Sequence, residues 1–111
     1  MRIVGRDEFM KLPGLVFYRK ITESWAIGEL AVKPFWDSPH DFLEMSVGDI
    51  ESQDGGDWVD TMTSMAEKGI SVPMARDYYG RDGMFEPDAK FLILEPDDLR
   101  TLRAMIDEAL E

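Results

Sequence analysis

The chain is predicted to fold as a single α+β domain over residues 1–111. Three observations carry this. Short runs rich in branched and aromatic residues read as strands. Two longer segments repeat apolar residues at helical spacing behind acidic starts. The length of 111 residues is enough for one core. The expected architecture is a mostly antiparallel sheet of four to five strands, covered on one face by two longer helices at about 57–68 and 97–110, with the other face partly open.

The elements follow in order. RIV (2–4) suits a short strand. GRDEFMKLPG holds one or two helical turns, with Asp7 and Glu8 at the positive end of the dipole and Pro13-Gly14 ending them. LVFYRKI (15–21) and AIGELAVKPF (26–35) read as strands joined by the loop TESW. DFLEMSVGDIE (41–51) alternates, placing Leu43, Met45 and Val47 on an apolar face and Glu44, Ser46 and Gly48 opposite. SQDGGD (52–57) is a loop by composition.

DWVDTMTSMAEKG is then a helix. Asp57 suits its N-cap, Gly69 its stop, and Trp58, Met62 and Met65 its apolar stripe. ISVPM (70–74) reads as an edge strand because of Pro73, and KFLILE (90–95), apolar on both faces, as a central one. EPDDLRTLRAMIDEAL closes the chain as a helix. Pro96 takes its first turn, and Leu99, Leu102, Ile106 and Leu110 form a stripe expected to be buried.

Between the last two strands lies DYYGRDGMFEPD (77–88). Framed on Gly83 as a calcium loop, it puts Tyr78, Gly80 and Ala89 where oxygen ligands belong. It also lacks the glycine spacing of a phosphate loop. A tight turn is the expectation, with Asp82 bonding nearby backbone, Met84 and Phe85 returning to the core, and Tyr78 and Tyr79 on opposite faces.

Charge is the strongest global signal. The chain holds 23 acids against 12 bases, a net charge of −11, and residues 34–67 contain nine acids and no Lys or Arg. Such a surface repels nucleic acid and anionic membranes and attracts basic proteins. With no cysteine, disulfides, thiolate metal sites and thiol nucleophiles are excluded. The charged start and the absence of a long apolar run make the cytosol the expected compartment.

Catalytic groups are sparse. The single histidine, His40, sits in FWDSPHDF beside Asp37, Ser38 and Asp41. A serine triad draws its members from separate elements, so this cluster reads as a turn. No cofactor, catalytic residue or metal ligand is assigned; an irregular divalent-ion site at Asp54, Asp57 and Asp60 is the nearest approach.

YYGRDGMFEPDAKFLILEPDDLRTLRAMIDEAL, with GRDEFMKLPGLVFY and GELAVK, resembles small acidic α+β proteins encoded by tailed phages and prophages. The resemblance implies a phage origin and carries no catalytic residue with it. By analogy with other small acidic phage proteins, it implies a counter-defence role of the anti-CRISPR or DNA-mimic kind, played in the cytosol of the host cell.

The leading expectation is therefore a binding protein that docks a basic surface of a host protein. Its contact residues would be Phe35, Trp36, Asp37, Asp41, Glu44, Asp49, Glu51, Asp54, Asp57 and Asp60, with Phe35 or Trp36 as the apolar anchor. The alternatives are a small carboxylate- or metal-dependent enzyme using His40, and a homo-oligomeric virion accessory protein.

Overall fold

The computed structural model describes residues 1–22, 26–36, 38, 41–82 and 86–111. In chain order the elements are β1 (Arg2–Gly5), α1 (Arg6–Lys11), β2 (Val16–Ile21), β3 (Ala31–Lys33), β4 (Phe42–Ser46), α2 (Gly55–Lys68), β5 (Gly80–Asp82), β6 (Lys90–Ile93) and α3 (Pro96–Leu110). The strands form a six-stranded sheet in the order β1-β6-β2-β3-β4-β5, antiparallel at every pairing. The class is α+β as expected, with more strands than the four to five predicted. β6, apolar on both faces, lies between β1 and β2.

The core has a different lid from the one predicted. Residues paired across antiparallel strands share a face, so Val4, Phe91, Ile93, Tyr18, Ala31 and Phe42 lie on one side of the sheet. The short helix α1 drops Phe9 onto them. Its ring stacks on Phe91 at 3.8 Å between centroids and meets Tyr18 and Phe42 edge-on at 4.8 and 5.1 Å. Six residues are too few to hold a helix alone in water; α1 persists because its one fully buried aromatic is the centre of the core.

The two longer helices do not cover the sheet: neither α2 nor α3 buries a single side chain. On α2 the least exposed residues are Thr61, Ser64 and Met65; of the predicted stripe only Met65 is half-buried, while Trp58 and Met62, and Val59 beside them, face solvent. On α3 Leu99 and Leu102, in its first two turns, are half-buried, and Met105, Ile106 and Leu110 are 61, 51 and 80% exposed. The radius of gyration, 15.8 Å, exceeds the roughly 13 Å of a compact chain of this length, in keeping with helices that stand off the core. The sheet face opposite Phe9 is only part-covered: Val32 is buried, Phe17, Leu43, Met45 and Leu92 are half-buried, and Ile3 is exposed.

Local corrections have local causes. α2 begins at Gly55, because Asp54 is the N-cap and accepts the Asp57 amide at 2.8 Å. Its glycines therefore open the helix instead of forming a loop. Gly69, at φ 65°, is the left-handed stop. Of 26–35 only Ala31–Lys33 is a strand. ISVPM makes just one isolated bridge, Met74 to Ile50; the strand beside β4 comes instead from Gly80–Asp82, inside the predicted turn. Asp82 is buried and lies 3.7 Å from the Lys20 ammonium. Tyr78 is exposed and Tyr79 half-buried. The predicted hairpin loop (22–25), apart from Thr22, and the positions of Met84 and Phe85 lie outside the described residues.

Candidate functional site

The acid-only segment runs from the end of β3 through β4 into α2, and the fold divides its residues into three groups. The first precedes β4. Phe35 is 60% and Trp36 39% exposed. Asp37 and His40 lie outside the described residues. Asp41 accepts the Ser38 hydroxyl and pairs with Arg81. The Ser38 hydrogen bond, followed by Arg81 and the Trp36 indole, holds its carboxyl below the usual aspartate value. The serine thus orients a carboxylate that is in an ion pair with Arg81.

The second group surrounds the start of α2. Asp54 and Asp57 brace the first turn: Asp54 accepts the Asp57 amide, and Asp57 accepts the Gln53 amide at 2.9 Å. Glu51 and Asp60 are exposed. Among the described residues no Lys or Arg pairs with Asp54, Asp57 or Asp60, and no group of three or more His, Asp or Glu residues is placed to hold a metal ion. Asp49 accepts the Trp58 indole N–H at 2.9 Å, which ties α2 to the turn after β4.

The third group faces a cleft that sequence reasoning missed. Alternation along β4 separates Leu43 and Met45 from Glu44 and Ser46 without saying which side meets the core. The register places Phe42, Glu44 and Ser46 on the Phe9 side. The core face is therefore apolar at Phe42 and polar beyond it. Over this polar part the backbone of 49–52 and 74–80 rises, joined by the Ala75 amide donating to the Asp49 carbonyl at 2.8 Å. Beneath is a cleft of about 360 Å³, at the small end of ligand-site volumes. Tyr18, Lys20 and Ala31 form its floor with Glu44 and Ser46, and Glu29, Asp49 and Tyr78 stand at its sides.

Its carboxylates are oriented by neutral donors. The Tyr18 phenol donates to Glu44 at 2.6 Å, and the Ser46 hydroxyl to Glu29 at 2.6 Å. Burial, then the Glu44 hydrogen bond, pushes the Tyr18 phenol far above its ordinary value, so it stays a donor. The bordering cations are already engaged, Lys20 with Asp82 and Glu86, Arg81 with Asp41. One signal in the sequence pointed here: Tyr18 and Lys20 are two apart on a strand, so a polar stripe had to share a face with the core.

No helix among the described residues is long and apolar enough to cross a membrane. Comparison with protein-family models, curated proteins and solved structures finds no match to this chain.

Proposed function

We propose that the chain is a binding protein that acts without catalysis and docks a basic surface of another protein through residues 34–67. The observation that carries this reading is α2. Its apolar residues Trp58, Val59 and Met62 are exposed beside Asp54, Asp57 and Asp60, and residues 34–67 hold no Lys or Arg. An apolar anchor ringed by one sign of charge is the makeup of a protein contact: the aromatic supplies burial, and the charge supplies rate and orientation. Phe35 and Trp36 extend the apolar part. The likeness to phage proteins makes a bacterial host protein the partner sought, with counter-defence the corresponding role in the host cytosol.

The test begins with capture of partners from a bacterial lysate on the immobilised protein, followed by kinetics on the captured protein. Glu51→Lys and Asp60→Lys leave the Asp54 cap intact. Together they are expected to slow association about tenfold, and the wild-type rate to fall with added salt. The same reversal at Asp107 on α3 serves as the control. Rates indifferent to salt and to Glu51 and Asp60 would refute the reading.

A second reading, a homo-oligomeric accessory protein, is favoured by the exposure of Met105, Ile106 and Leu110 on α3. Strictly monomeric elution in sizing chromatography would remove it.

A further inference from the structure

The cleft beside β4 has two kinds of wall. Ala31, Ile50 and Ala75 supply apolar surface, and Tyr78, 52% exposed, places an aromatic ring at the rim. The rest is acceptor. Glu29, Glu44 and Asp49 line the same cleft, and among the described residues none of them is paired with a Lys or Arg. Each is held by a neutral donor: Ser46, Tyr18 and the Trp58 indole. Such bonds fix a carboxylate without cancelling its charge, and each oxygen retains lone pairs. The two cations on the lining, Lys20 and Arg81, are turned to Asp82, Glu86 and Asp41. The space is thus concave, with a lining that is part apolar and net negative.

These walls suit a cation carried on a hydrocarbon stem. Methylenes gain by leaving water against Ala31, Ile50 and Ala75. A charged head gains most from Glu44, half-buried where water screens it less than on an open surface, with Glu29 and Asp49 exposed at the edge of the recess. Between the two common heads, the planar guanidinium fits better. It carries five donors that can be shared among separated acceptors, and it stacks on a tyrosine face, whereas an ammonium is compact and strongly hydrated. The carboxylates do not gather into a metal-binding group among the described residues, and a guanidinium reaches acceptors that a bare ion does not bridge.

We propose that this cleft is a recognition site for a single arginine side chain presented by the partner protein, with its guanidinium on Glu29, Glu44 and Asp49 and its stem against Ala31, Ile50 and Ala75. The assignment rests on the docking reading above and locates its most specific contact away from the open acidic surface of α2.

The test titrates the full chain with N-acetyl-arginine amide and follows backbone amide resonances. N-acetyl-citrulline amide, the neutral isostere, and N-acetyl-lysine amide run in parallel. The arginine compound is expected to move the amides of Glu29, Glu44, Asp49 and Tyr78 saturably, with citrulline weaker by about tenfold or more, the worth of hydrogen bonds to a charged group. Lysine amide should fall between them. Glu29→Gln with Asp49→Asn keeps the acceptors for Ser46 and Trp58, removes two charges, and should weaken the arginine probe by a similar factor; Glu67→Gln should not. An unchanged melting temperature in the double variant establishes that its fold is intact, and Glu29→Gln alone, which leaves the Asp49 contacts untouched, is the fallback if that variant does not fold. Absence of saturable shifts, citrulline binding as well as arginine, or indifference to the carboxylate variants would overturn the site. Lysine binding as tightly as arginine would overturn the guanidinium assignment. If the captured partner still binds the Glu29, Asp49 variant normally, the cleft fails and docking stands. If the arginine probe saturates but Glu51 and Asp60 reversal leaves partner association unchanged, docking through α2 fails and the cleft stands.

Discussion

Tyr18 and Glu44 are joined by a 2.6 Å hydrogen bond that links β2 to β4 across the intervening β3. The phenol is buried in the aromatic cluster, and the carboxylate opens onto the cleft. One bond therefore couples the core to the proposed recognition site. Tyr18→Phe should lower stability by about 1.5 kcal/mol, the low end for a hydrogen bond to a charged group, because the cleft leaves Glu44 open to water. The effect should depend on pH. The folded phenol is held above its ordinary value by burial and by Glu44. Its contribution is complete below about pH 10, where both states keep the proton, and declines above it, where only the unfolded chain releases the proton. Urea midpoints measured from pH 7 to 11 should fall less steeply at the alkaline end for Tyr18→Phe than for wild type. Parallel curves would exclude this role.

Lys33 has the opposite sign. It is 1% exposed, its ammonium lies 5.2 Å from the Phe9 ring, and its Leu12 carbonyl contact is a long 3.4 Å. Burial lowers its ionisation below the ordinary lysine value. The folded chain thus disfavours the charged form, a cost present at neutral pH and relieved as pH rises toward about 10.4. Lys33→Met keeps the stem and removes the charge. It should raise stability at pH 7 by about 1 kcal/mol, as when buried ionic groups give way to apolar ones of similar volume. The gain should shrink toward pH 10. A loss on Lys33→Met at pH 7 would mean that the cation over Phe9 stabilises the core.

Asp54 combines two roles that substitution can separate. As N-cap it holds the Asp57 amide, and as a charge it belongs to the acidic surface. Asp54→Ala removes both and should cost about 1 kcal/mol. Asp54→Asn keeps an equally good cap and should leave the melting temperature close to wild type, while slowing association with a basic partner. If Asn and Ala destabilise equally, the capping bond is not what holds the start of α2.

The elements were more legible than their packing. Branched and aromatic runs located β2 and β6, and acid-led apolar periodicity located α2 and α3, because those signals are local. The lid was not legible. A stripe such as Leu99, Leu102, Ile106 and Leu110 shows that a helix is amphipathic without saying what its apolar face meets. Phe9, on a six-residue helix with no side-chain cap, gave no comparable signal, yet it is the centre of the core. β4 was only partly legible for a related reason. Its alternation separates two faces without showing that the core ends at Phe42, with Glu44 and Ser46 continuing the same face into the cleft. The acid-only segment was plain from composition; its division into cap, ion pair and cleft wall was not, because the ion pair and the cleft wall depend on partners distant in sequence, Arg81 of β5 for Asp41 and Tyr18 of β2 for Glu44.

The uncovered state of α3 is itself open to measurement. Met105 and Ile106 are 61 and 51% exposed, so Met105→Gln and Ile106→Gln should each change stability by less than about 0.5 kcal/mol. Phe9→Ala, at the stack on Phe91, should cost about 3–5 kcal/mol, because it removes an aromatic from the middle of a close-packed cluster. A buried α3 stripe, as periodicity alone predicts, would put the α3 substitutions nearer to about 2 kcal/mol each. Urea denaturation of the three variants discriminates the cases, since only the core substitution should move the midpoint substantially. If Ile106→Gln does destabilise, and the loss shrinks as the protein is diluted, the stripe is covered by a second copy in solution, and the homo-oligomeric reading gains over the docking one.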